Sequence, residues 1–359
     1  MRNRLDCAFC GNATRSFMNH YYTEEITKDT RYRQEYKEGI EAFLNERKKQ
    51  ADDARTSFIS PEKYVAQPEY YRDELLKTLG YPLTDAVEAP RCCEKTFVSR
   101  DGNVNIYRMQ LEFFGKIKFY GIYFEQADNP EEKPFLFGLH GGLGTPETVS
   151  SIHLNSSNYN HLVRRMTDRG ASVFVPQLLL WNVERYGNEF NRQYFDGKLR
   201  QLGGSITALE LYLLSGTLSY FISNENISED KIGVAGLSYG GMYAAHLAAI
   251  DTRIKACFSC SWVDDGFVNS WADWSYFNAR SRFTPAEILG LVAPRPLIVA
   301  MGDKDDLFNC DRTVAECEKA APYYEAFGKG NEFKYYVFGG THETDKSDKW
   351  LDFLFEKLG

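Results

Sequence analysis

Apolar residues in the N-terminal part of the chain recur at the spacing of an amphipathic helix. They are set three or four positions apart among lysine, arginine and glutamate, so that one helix face is apolar and the other charged. Ser60 followed by Pro61 predicts the start of a second helix, because serine caps a helix N-terminus and proline suits the first turn. Pro68 opens a further short helix, which Gly80 and Pro82 close. The apolar stripe comprises Tyr32, Tyr36, Ile40, Phe43 and Leu44.

The pattern changes near residue 92, where apolar and polar positions alternate as in β-strands. Turns such as Asp101-Gly102 separate the first runs, which predicts antiparallel strands. Further along, short apolar runs alternate with helical stretches, and this alternation predicts a parallel sheet covered on both faces. We predict strands at 95–98, 104–113, 116–125, 135–139, 172–176, 231–235, 254–260, 296–301 and 333–338, and helices at 159–169, 205–222, 240–250 and 348–357.

These patterns divide the chain into an N-terminal helical extension, residues 1–91, and an α/β domain, residues 92–359. Two insertions rich in Trp, Tyr, Phe and Arg interrupt the domain, near 178–203 and 262–293. The extension carries no grouping of catalytic side chains. Packing on the domain, covering a site and forming an oligomer contact are all compatible with its sequence.

Charge and hydropathy exclude several classes of protein. The 359 residues carry a net charge of −8, from 42 Lys and Arg against 50 Asp and Glu, which argues against a nucleic-acid-binding protein. No uninterrupted apolar run approaches the roughly 20 residues that span a bilayer. No apolar stretch follows the basic residues at the N-terminus, so no secretory signal is expected. The prediction is a cytoplasmic protein without a membrane segment.

The eight cysteines are too sparse for a disulfide scaffold. Two Cys-x-x-Cys pairs occur, Cys7/Cys10 and Cys257/Cys260, but neither has the second pair or His-x-x-His partner that would complete a zinc site. The second pair lies in an apolar segment that predicts a buried strand, where cysteine behaves as a small apolar residue. We expect reduced thiols, no metal and no organic cofactor.

The segment Gly236-Leu-Ser238-Tyr-Gly240 lies between a predicted strand and a helix of small residues. A serine hydroxyl is a poor nucleophile near neutral pH, so it needs a base beside it and an anion-stabilising helix start. A sharp strand-to-helix turn provides this position, and glycines two residues before and after the serine relieve its crowding. In this setting the motif predicts that Ser238 is a nucleophile.

An acid and a histidine follow the serine in chain order. After the strand at 296–301 come three aspartates, of which Asp305 fits a Gly-x-x-Asp turn spacing and Asp306 is its main rival. Asp303, beside a glycine, suits a backbone hydrogen bond within the turn. The last strand runs into Gly339-Gly-Thr-His342, a loop from which a histidine reaches the carboxyl edge of the sheet.

Of the six histidines, only His342 follows the acid and ends a strand. His246 lies in the helix behind the nucleophile, where packing is its expected role. The order Ser238, Asp305 and His342, each at a strand end, is that of a hydrolytic triad in which the acid orients the imidazole. The histidines without a strand-end setting are His20, His153 and His161.

A glycine-rich loop, His140-Gly-Gly-Leu-Gly144, follows the strand at 135–139. Acyl transfer develops an oxyanion, which two backbone N–H donors stabilise by several kcal/mol in a water-poor pocket. The N–H of Tyr239, directly after the nucleophile, is one predicted donor. Gly142 is the preferred second donor, with Gly141 and Leu143 nearby. His140 is expected to be structural, and the glycines match neither a P-loop nor Gly-x-Gly-x-x-Gly.

These motifs resemble the α/β-hydrolase superfamily over residues 92–359. Leu291-Val-Ala-Pro-Arg-Pro-Leu-Ile-Val299 followed by Gly302-Asp-Lys-Asp resembles the acetyl-xylan-esterase and dienelactone-hydrolase group, which is related to prolyl-oligopeptidase catalytic domains. The resemblance implies an eight-stranded, mostly parallel sheet and a carboxylic-ester hydrolase. It also implies the roles of nucleophile, acid and base for Ser238, Asp305 and His342.

The chain departs from that group in two respects. Strict dienelactone hydrolases use a cysteine nucleophile where this chain has Ser238. The helical residues 1–91 are too short for the propeller of prolyl oligopeptidases, which weakens a peptidase assignment.

Aromatic side chains of the two insertions are expected to wall the substrate pocket. They suit a sugar or an aryl group, and short-acyl esters such as acetylated sugars are the first expected substrates. Alternatives are a peptidase or thioesterase with the same triad, and a non-catalytic ligand-binding protein of this fold. A small-molecule ester partner and a homo-oligomer are compatible with each enzyme hypothesis. The predicted wall residues are Trp181, Trp271, Trp274 and Tyr276.

Overall fold

A computed structural model describes residues 22–80, 90–127, 133–152, 156–181, 191–268 and 271–359. The chain forms two compact units, residues 1–51 and 52–359. This boundary lies earlier than the predicted division at residue 91, because the second unit buries side chains from Ile59, Tyr64, Tyr71, Leu75 and Leu79 in its core. Predictions that fall outside the described residues concern Cys7, Cys10, His20, Pro82, His153 and the insertion residues 182–190.

The predicted N-terminal helices are confirmed. Helix α1 (Thr30–Phe58) begins in the first unit and presents its apolar stripe as exposed side chains. Helix α2 (Pro61–Ala66) is capped by Ser60, whose side chain accepts a hydrogen bond from the Lys63 N–H. Helix α3 (Pro68–Leu79) ends at Gly80, whose φ of +88° suits glycine.

The described residues of the second unit form one sheet of nine strands. The strands are β1 Arg91–Asp101, β2 Val104–Phe113, β3 Ile117–Gln126, β4 Lys133–Leu139, β5 Ser172–Pro176, β6 Ile227–Leu237, β7 Ala256–Cys260, β8 Leu297–Gly302 and β9 Phe333–Phe338. Their order across the sheet is β1-β2-β3-β5-β4-β6-β7-β8-β9. Strands β1 to β3 pair antiparallel, β3 pairs antiparallel with β5, and the pairs from β5 to β9 are parallel. The described sheet therefore has one strand more than the resemblance implies, because β1 adds an exposed edge beside β2.

Helices cover both faces of this sheet, as the strand–helix alternation predicts. Along β4, Phe135 and Phe137 join the core on one face of the sheet, and Leu136 joins the core on the other face. The first face is covered by α7 (Ile206–Asn224), α8 (Tyr239–Ile250) and α10 (Cys310–Ala326), and the second by α5 (Leu162–Asp168) and α11 (Lys349–Leu358). The remaining helices are α4 Pro146–Val149, α6 Arg192–Gln201 and α9 Pro285–Gly290.

Helix α7 is long and apolar enough to cross a membrane by length and composition alone. Two thirds of its most apolar window (67%) is buried inside the protein, so core packing accounts for its apolar character. Cys257 and Cys260 lie on the predicted buried strand, β7, with their side chains in the cores on opposite faces of the sheet. Their thiols therefore do not face a common metal site.

The parallel arrangement of the strands determines where the predicted catalytic residues come together. Strands β4, β6 and β8 run in parallel, as do β8 and β9, so their carboxyl ends lie along one edge of the sheet. The glycine-rich loop follows β4, Ser238 follows β6, the three aspartates follow β8, and His342 follows β9.

Candidate active site

The turn between β6 and α8 holds Ser238 in a conformation that residues other than glycine rarely adopt. Its φ is +59° and its ψ −122°. Two glycines allow the turn: a Cβ on Gly236 would lie 2.2 Å from the Gly240 carbonyl oxygen, and a Cβ on Gly240 would lie 2.1 Å from that of Leu139. The Ser238 N–H donates to the Cys260 carbonyl at 2.8 Å. The serine is thus fixed between a strand end and a helix N-terminus.

His342 and Asp305 meet directly at the same edge. The His342 Nδ1 lies 2.8 Å from Asp305 Oδ2, which makes Nδ1 the donor and leaves Nε2 as the basic atom. The other carboxylate oxygen, Oδ1, accepts from the N–H groups of Leu307 at 2.9 Å and Phe308 at 3.1 Å. Burial alone would raise the pKa of Asp305, but the hydrogen bond and charge of His342 outweigh it and hold that pKa below its usual value.

The three aspartates after β8 have different surroundings. The Asp305 side chain is fully buried, whereas Asp306 is exposed. The Asp303 carboxylate accepts from the N–H of Gly340 at 3.0 Å. Asp303 therefore binds backbone as expected, but in the histidine loop 37 residues further along the chain rather than within its own turn. Of the two candidates for the triad acid, Asp305 is the one that binds His342.

Cys260 connects the serine turn to the histidine loop. Its carbonyl accepts from Ser238, and its thiol donates to the Glu343 carbonyl at 3.4 Å. The Ser238 hydroxyl has no hydrogen-bond partner among the described residues. The structure therefore brings His342 onto Asp305 and places Ser238 at the same sheet edge, without a direct serine–histidine hydrogen bond. Such bonds are often long in ligand-free enzymes and shorten when substrate binds.

The loop after β4 lies against the serine. A Cβ on Gly141 would lie 3.1 Å from Ser238 Cβ. The Gly141 N–H already donates to the Tyr159 hydroxyl at 2.8 Å, so it is committed to another acceptor. Gly142 needs to be glycine, because a Cβ there would lie 2.8 Å from the Trp181 ring. Tyr239 is the first residue of α8, where N–H groups lack an acceptor within the helix and the helix dipole favours an anion.

His140 has a structural place in this loop. Its Nδ1 donates to the Gly141 carbonyl at 2.9 Å, and its Nε2 accepts from the Leu178 N–H at 2.9 Å. Burial lowers the pKa of His140 to about 4, so it is neutral at physiological pH. His246 is buried in α8 as predicted, and His161 lies beside Ser151.

Three of the predicted wall residues form one aromatic cluster, which also contains Tyr239 and Phe308. The Trp181 ring lies 5.1 Å from Trp271 and donates its indole N–H to the Tyr239 hydroxyl at 2.8 Å. Trp271 and Trp274 meet edge to face at 4.9 Å. Phe308 stacks on Trp274 at 5.7 Å and on the His342 ring at 5.8 Å. The aromatic wall therefore continues to the histidine.

Tyr276, the fourth predicted wall residue, lies outside this cluster. Its ring lines a neighbouring cavity together with Trp274, and the Arg200 guanidinium lies 5.8 Å from its centre. Tyr276 therefore shares a cavity with Trp274 but not the ring cluster that Trp181, Trp271 and Trp274 form.

A buried ion network fixes the wall from behind. Arg192 Nε donates to Asp273 at 2.6 Å, Nη1 to Glu210 at 2.8 Å and Nη2 to the Tyr243 hydroxyl at 2.7 Å. The Tyr239 hydroxyl also donates to Asp273, at 2.9 Å. Burial alone would lower the pKa of Arg192, but these anionic neighbours raise it, so the guanidinium stays charged. The network joins the two insertions to helices α7 and α8.

Comparison with known proteins was made by sequence and by structure. No family model matches the chain. The Bacillus subtilis (strain 168) protein named "Putative hydrolase YtaP" is 34% identical over 113 residues, which are 29% of this chain and 38% of that protein. The matched part thus spans little more than a third of that relative.

Solved esterase structures share the fold. A "putative acetyl xylan esterase" from Bacteroides fragilis superposes with a TM-score of 0.63 at 16% identity, covering 78% of this chain and 76% of that one. The chain has the α/β-hydrolase fold. A glucuronoyl esterase from Solibacter usitatus gives 0.62 at 16% identity, covering 80% and 92%. A promiscuous CE15 esterase from a marine bacterial metagenome gives 0.62 at 14%, covering 84% and 93%.

Several residues around this α/β-hydrolase site carry no motif that sequence reasoning could use. Arg192, Glu210 and Asp273 come from three separate segments and are joined only by folding. For Phe308, the sequence offered one weak indication of a place in the site, which is its position three residues after the predicted acid, Asp305. Tyr239 was identified for its backbone N–H, whereas its side chain lies within the aromatic wall.

Proposed function

We propose that the chain is a serine hydrolase that cleaves carboxylic esters through an acyl-enzyme. The observation that carries this proposal is the partly buried Asp305–His342 hydrogen bond at the sheet edge where the Ser238 turn also lies. In this mechanism His342 Nε2 takes the Ser238 proton as the hydroxyl attacks the ester carbonyl. Asp305 holds the imidazole in the required tautomer and stabilises the imidazolium.

The tetrahedral oxyanion would be held by the N–H groups of Gly142 and Tyr239. Collapse of the intermediate expels the alcohol, which receives its proton from His342. Water activated by the same histidine then attacks the acyl-enzyme, and a second collapse releases the acid and regenerates Ser238.

Short-acyl esters of sugars are the proposed substrate class. Trp181 supports this class because it is 40% exposed and offers an aromatic face near Gly142. The fold neighbours named as acetyl xylan and glucuronoyl esterases agree with a carbohydrate ester. We further propose a cytoplasmic location and a small-molecule substrate rather than a nucleic acid or membrane, with homo-oligomer formation left to direct measurement.

Hydrolysis of p-nitrophenyl acetate, butyrate and octanoate by the full chain tests the proposal. We expect turnover of the acetate and a loss of at least about 10⁴-fold in kcat for Ser238→Ala. Ser57→Ala, at an exposed serine of α1, is the matched control and should retain activity. Acetylated sugars would then be compared with the p-nitrophenyl esters.

Other outcomes separate the alternatives. Cleavage of amides or thioesters above the ester rate would favour a peptidase or thioesterase. Folded protein that turns over none of these substrates would overturn the hydrolase proposal and favour a ligand-binding role. Equal ester turnover by native protein and Ser238→Ala would exclude Ser238 as the nucleophile.

A further inference from the structure

The cavity that Tyr276 and Trp274 line is bordered by the second insertion and has a volume of about 360 Å³. This volume falls within the size range of small-molecule sites. Ser238, Asp305 and His342 do not line it. Trp274 lies between the cavity and the proposed catalytic residues, since it lines the cavity and also stacks on Phe308 of the aromatic wall. The lining includes Met242, His246, Trp262, Phe267, Trp274 and Phe283.

Two side chains of this lining carry a buried ring nitrogen without a hydrogen-bond partner among the described residues. The Nδ1 of His246 donates to the Met242 carbonyl at 2.8 Å, which leaves Nε2 as an unpaired acceptor. The indole Nε1–H of Trp274 is an unpaired donor. His246 is only 2% exposed, so bulk water does not satisfy it. Unpaired buried polar groups are rare in folded proteins and destabilise them.

The charge of the cavity is compensated. Arg280 is part of the lining, but its Nε and Nη2 donate to Asp52 at 2.7 and 3.1 Å, and its Nη1 is paired with Asp265. The other polar side chains of the lining carry no charge, and the Tyr276 hydroxyl is a third buried polar group without a partner among the described residues. These uncharged polar residues are Ser275, Tyr276, Asn278 and Thr284. Such a cavity favours a neutral ligand over an ion, because a charged ligand would lose its hydration without gaining an unpaired counter-charge.

We propose that this cavity is a binding site, separate from the ester-cleaving centre, for a neutral planar aromatic molecule bearing both an N–H or O–H donor and a carbonyl acceptor. The ligand donor pairs with His246 Nε2, and its carbonyl accepts from Trp274 Nε1–H. Trp262, Phe267 and Phe283 provide the aromatic surroundings of the ring.

Benzamide and 4-hydroxyacetophenone are suitable probes because each joins a planar ring to one donor and one carbonyl. Binding to the full chain is measured by titration calorimetry and by intrinsic tryptophan fluorescence, to which Trp262 and Trp274 of the cavity contribute. We expect saturable binding with a Kd of about 1 mM or tighter for at least one probe, as suits so small a ligand. Benzoate, which has the same shape but is anionic, should bind at least tenfold more weakly than benzamide.

Two variants test the location. His246→Phe keeps a flat ring but removes the acceptor. Gly266→Leu places a side chain at the exposed rim of the cavity, where its Cβ meets only Pro285, at an ordinary contact distance of 3.5 Å. Each should weaken binding at least tenfold. If His246→Phe does not fold, Gly266→Leu carries the test.

Two control variants should leave binding unchanged. In Gly330→Leu the new Cβ likewise meets a single neighbour, Glu325, at 3.6 Å, but away from the cavity. Ser238→Ala removes the proposed nucleophile, so retained binding separates this site from the catalytic one. Absence of saturable binding by both probes, unchanged binding in Gly266→Leu, or loss of binding in Ser238→Ala would each overturn the proposal. These experiments measure binding and not ester cleavage. A negative esterase assay would therefore not overturn the proposed binding site.

Discussion

The strand-end loops and the two insertions meet at one site but are held in place by different forces. The loops depend on close backbone approach: a Cβ on Gly302 would lie 2.3 Å from the Thr341 carbonyl oxygen, just as Gly240 packs on Leu139. The insertions depend instead on buried charges, where Arg192 binds both Glu210 and Asp273. The residues of the proposed triad are thus positioned by the sheet, and the aromatic wall by long-range ion pairs.

This difference predicts that substitutions in the strand-end loops lower catalytic activity, whereas substitutions in the ion network lower the stability of the fold. A conservative change to a triad side chain removes chemistry while the glycine-held backbone remains. A change in the ion network leaves a buried charge without a partner, which destabilises the fold itself.

The largest expected effect is on turnover by Asp305→Asn. An asparagine amide would donate to His342 Nδ1 and so favour the wrong imidazole tautomer, which in Ser-His-Asp enzymes lowers kcat by about 10⁴-fold. The thermal midpoint should change little, because the side chain keeps its shape. The measurement is ester kcat together with thermal unfolding. Asp306→Asn, at the exposed neighbour, should retain activity; the opposite pattern would make Asp306 the acid.

Arg192→Met should affect stability more than any other change in the insertions. It leaves Glu210 and Asp273 as buried carboxylates without their cation, at a cost of about 3–5 kcal/mol in the free energy of unfolding. Urea unfolding followed by circular dichroism measures this loss. Arg164→Met is the control, since its pair with Asp101 is exposed and contributes at most about 1 kcal/mol. A similar loss of unfolding free energy in both variants would show that the buried ion network contributes no more to stability than an exposed ion pair.

Stability should fall as the pH is lowered from about 6.5 towards 4. Burial lowers the pKa of His140 and of His246 to about 4, so below the unfolded value of about 6.5 the unfolded chain binds more protons than the native one. Each histidine then removes about 2 kcal/mol of stability by pH 4.5. Urea unfolding at pH 7 and pH 4.5 measures the change. His246→Gln should show a smaller change than the native protein; an equal change would mean that His246 does not contribute.

The smallest expected effect is on substrate binding by Trp181→Phe. The variant keeps an aromatic ring but loses the hydrogen bond to the Tyr239 hydroxyl, which contributes about 1 kcal/mol. We expect KM for an acetylated sugar to rise about fivefold with kcat unchanged. Tyr194→Phe, at an exposed position in the same insertion, should change neither constant. A fall in kcat at constant KM would assign Trp181 to the chemical step instead.

Much of the fold was predictable because it follows local rules. Strand alternation, helix periodicity and capping residues identified seven helices or helix starts and the strands of the described sheet within a few residues. Ser60 and Gly80 act at the helix ends where they were expected. Helix α10 was not predicted, and it contains Pro322, which usually breaks a helix. The unit boundary was also placed differently, because burial of Leu75 and Leu79 depends on tertiary packing.

The sequence by itself determined the strand–turn–helix around Ser238 and the chain order of serine, acid and histidine, because both depend on neighbouring residues and on the rule that parallel strands end at one edge. Only the tertiary structure decided that His342 binds Asp305 rather than Asp306, since adjacent residues differ in which way their side chains point. It also decided that Arg192 meets Asp273 across distant segments. Such pairings depend on three-dimensional proximity, which no local pattern encodes.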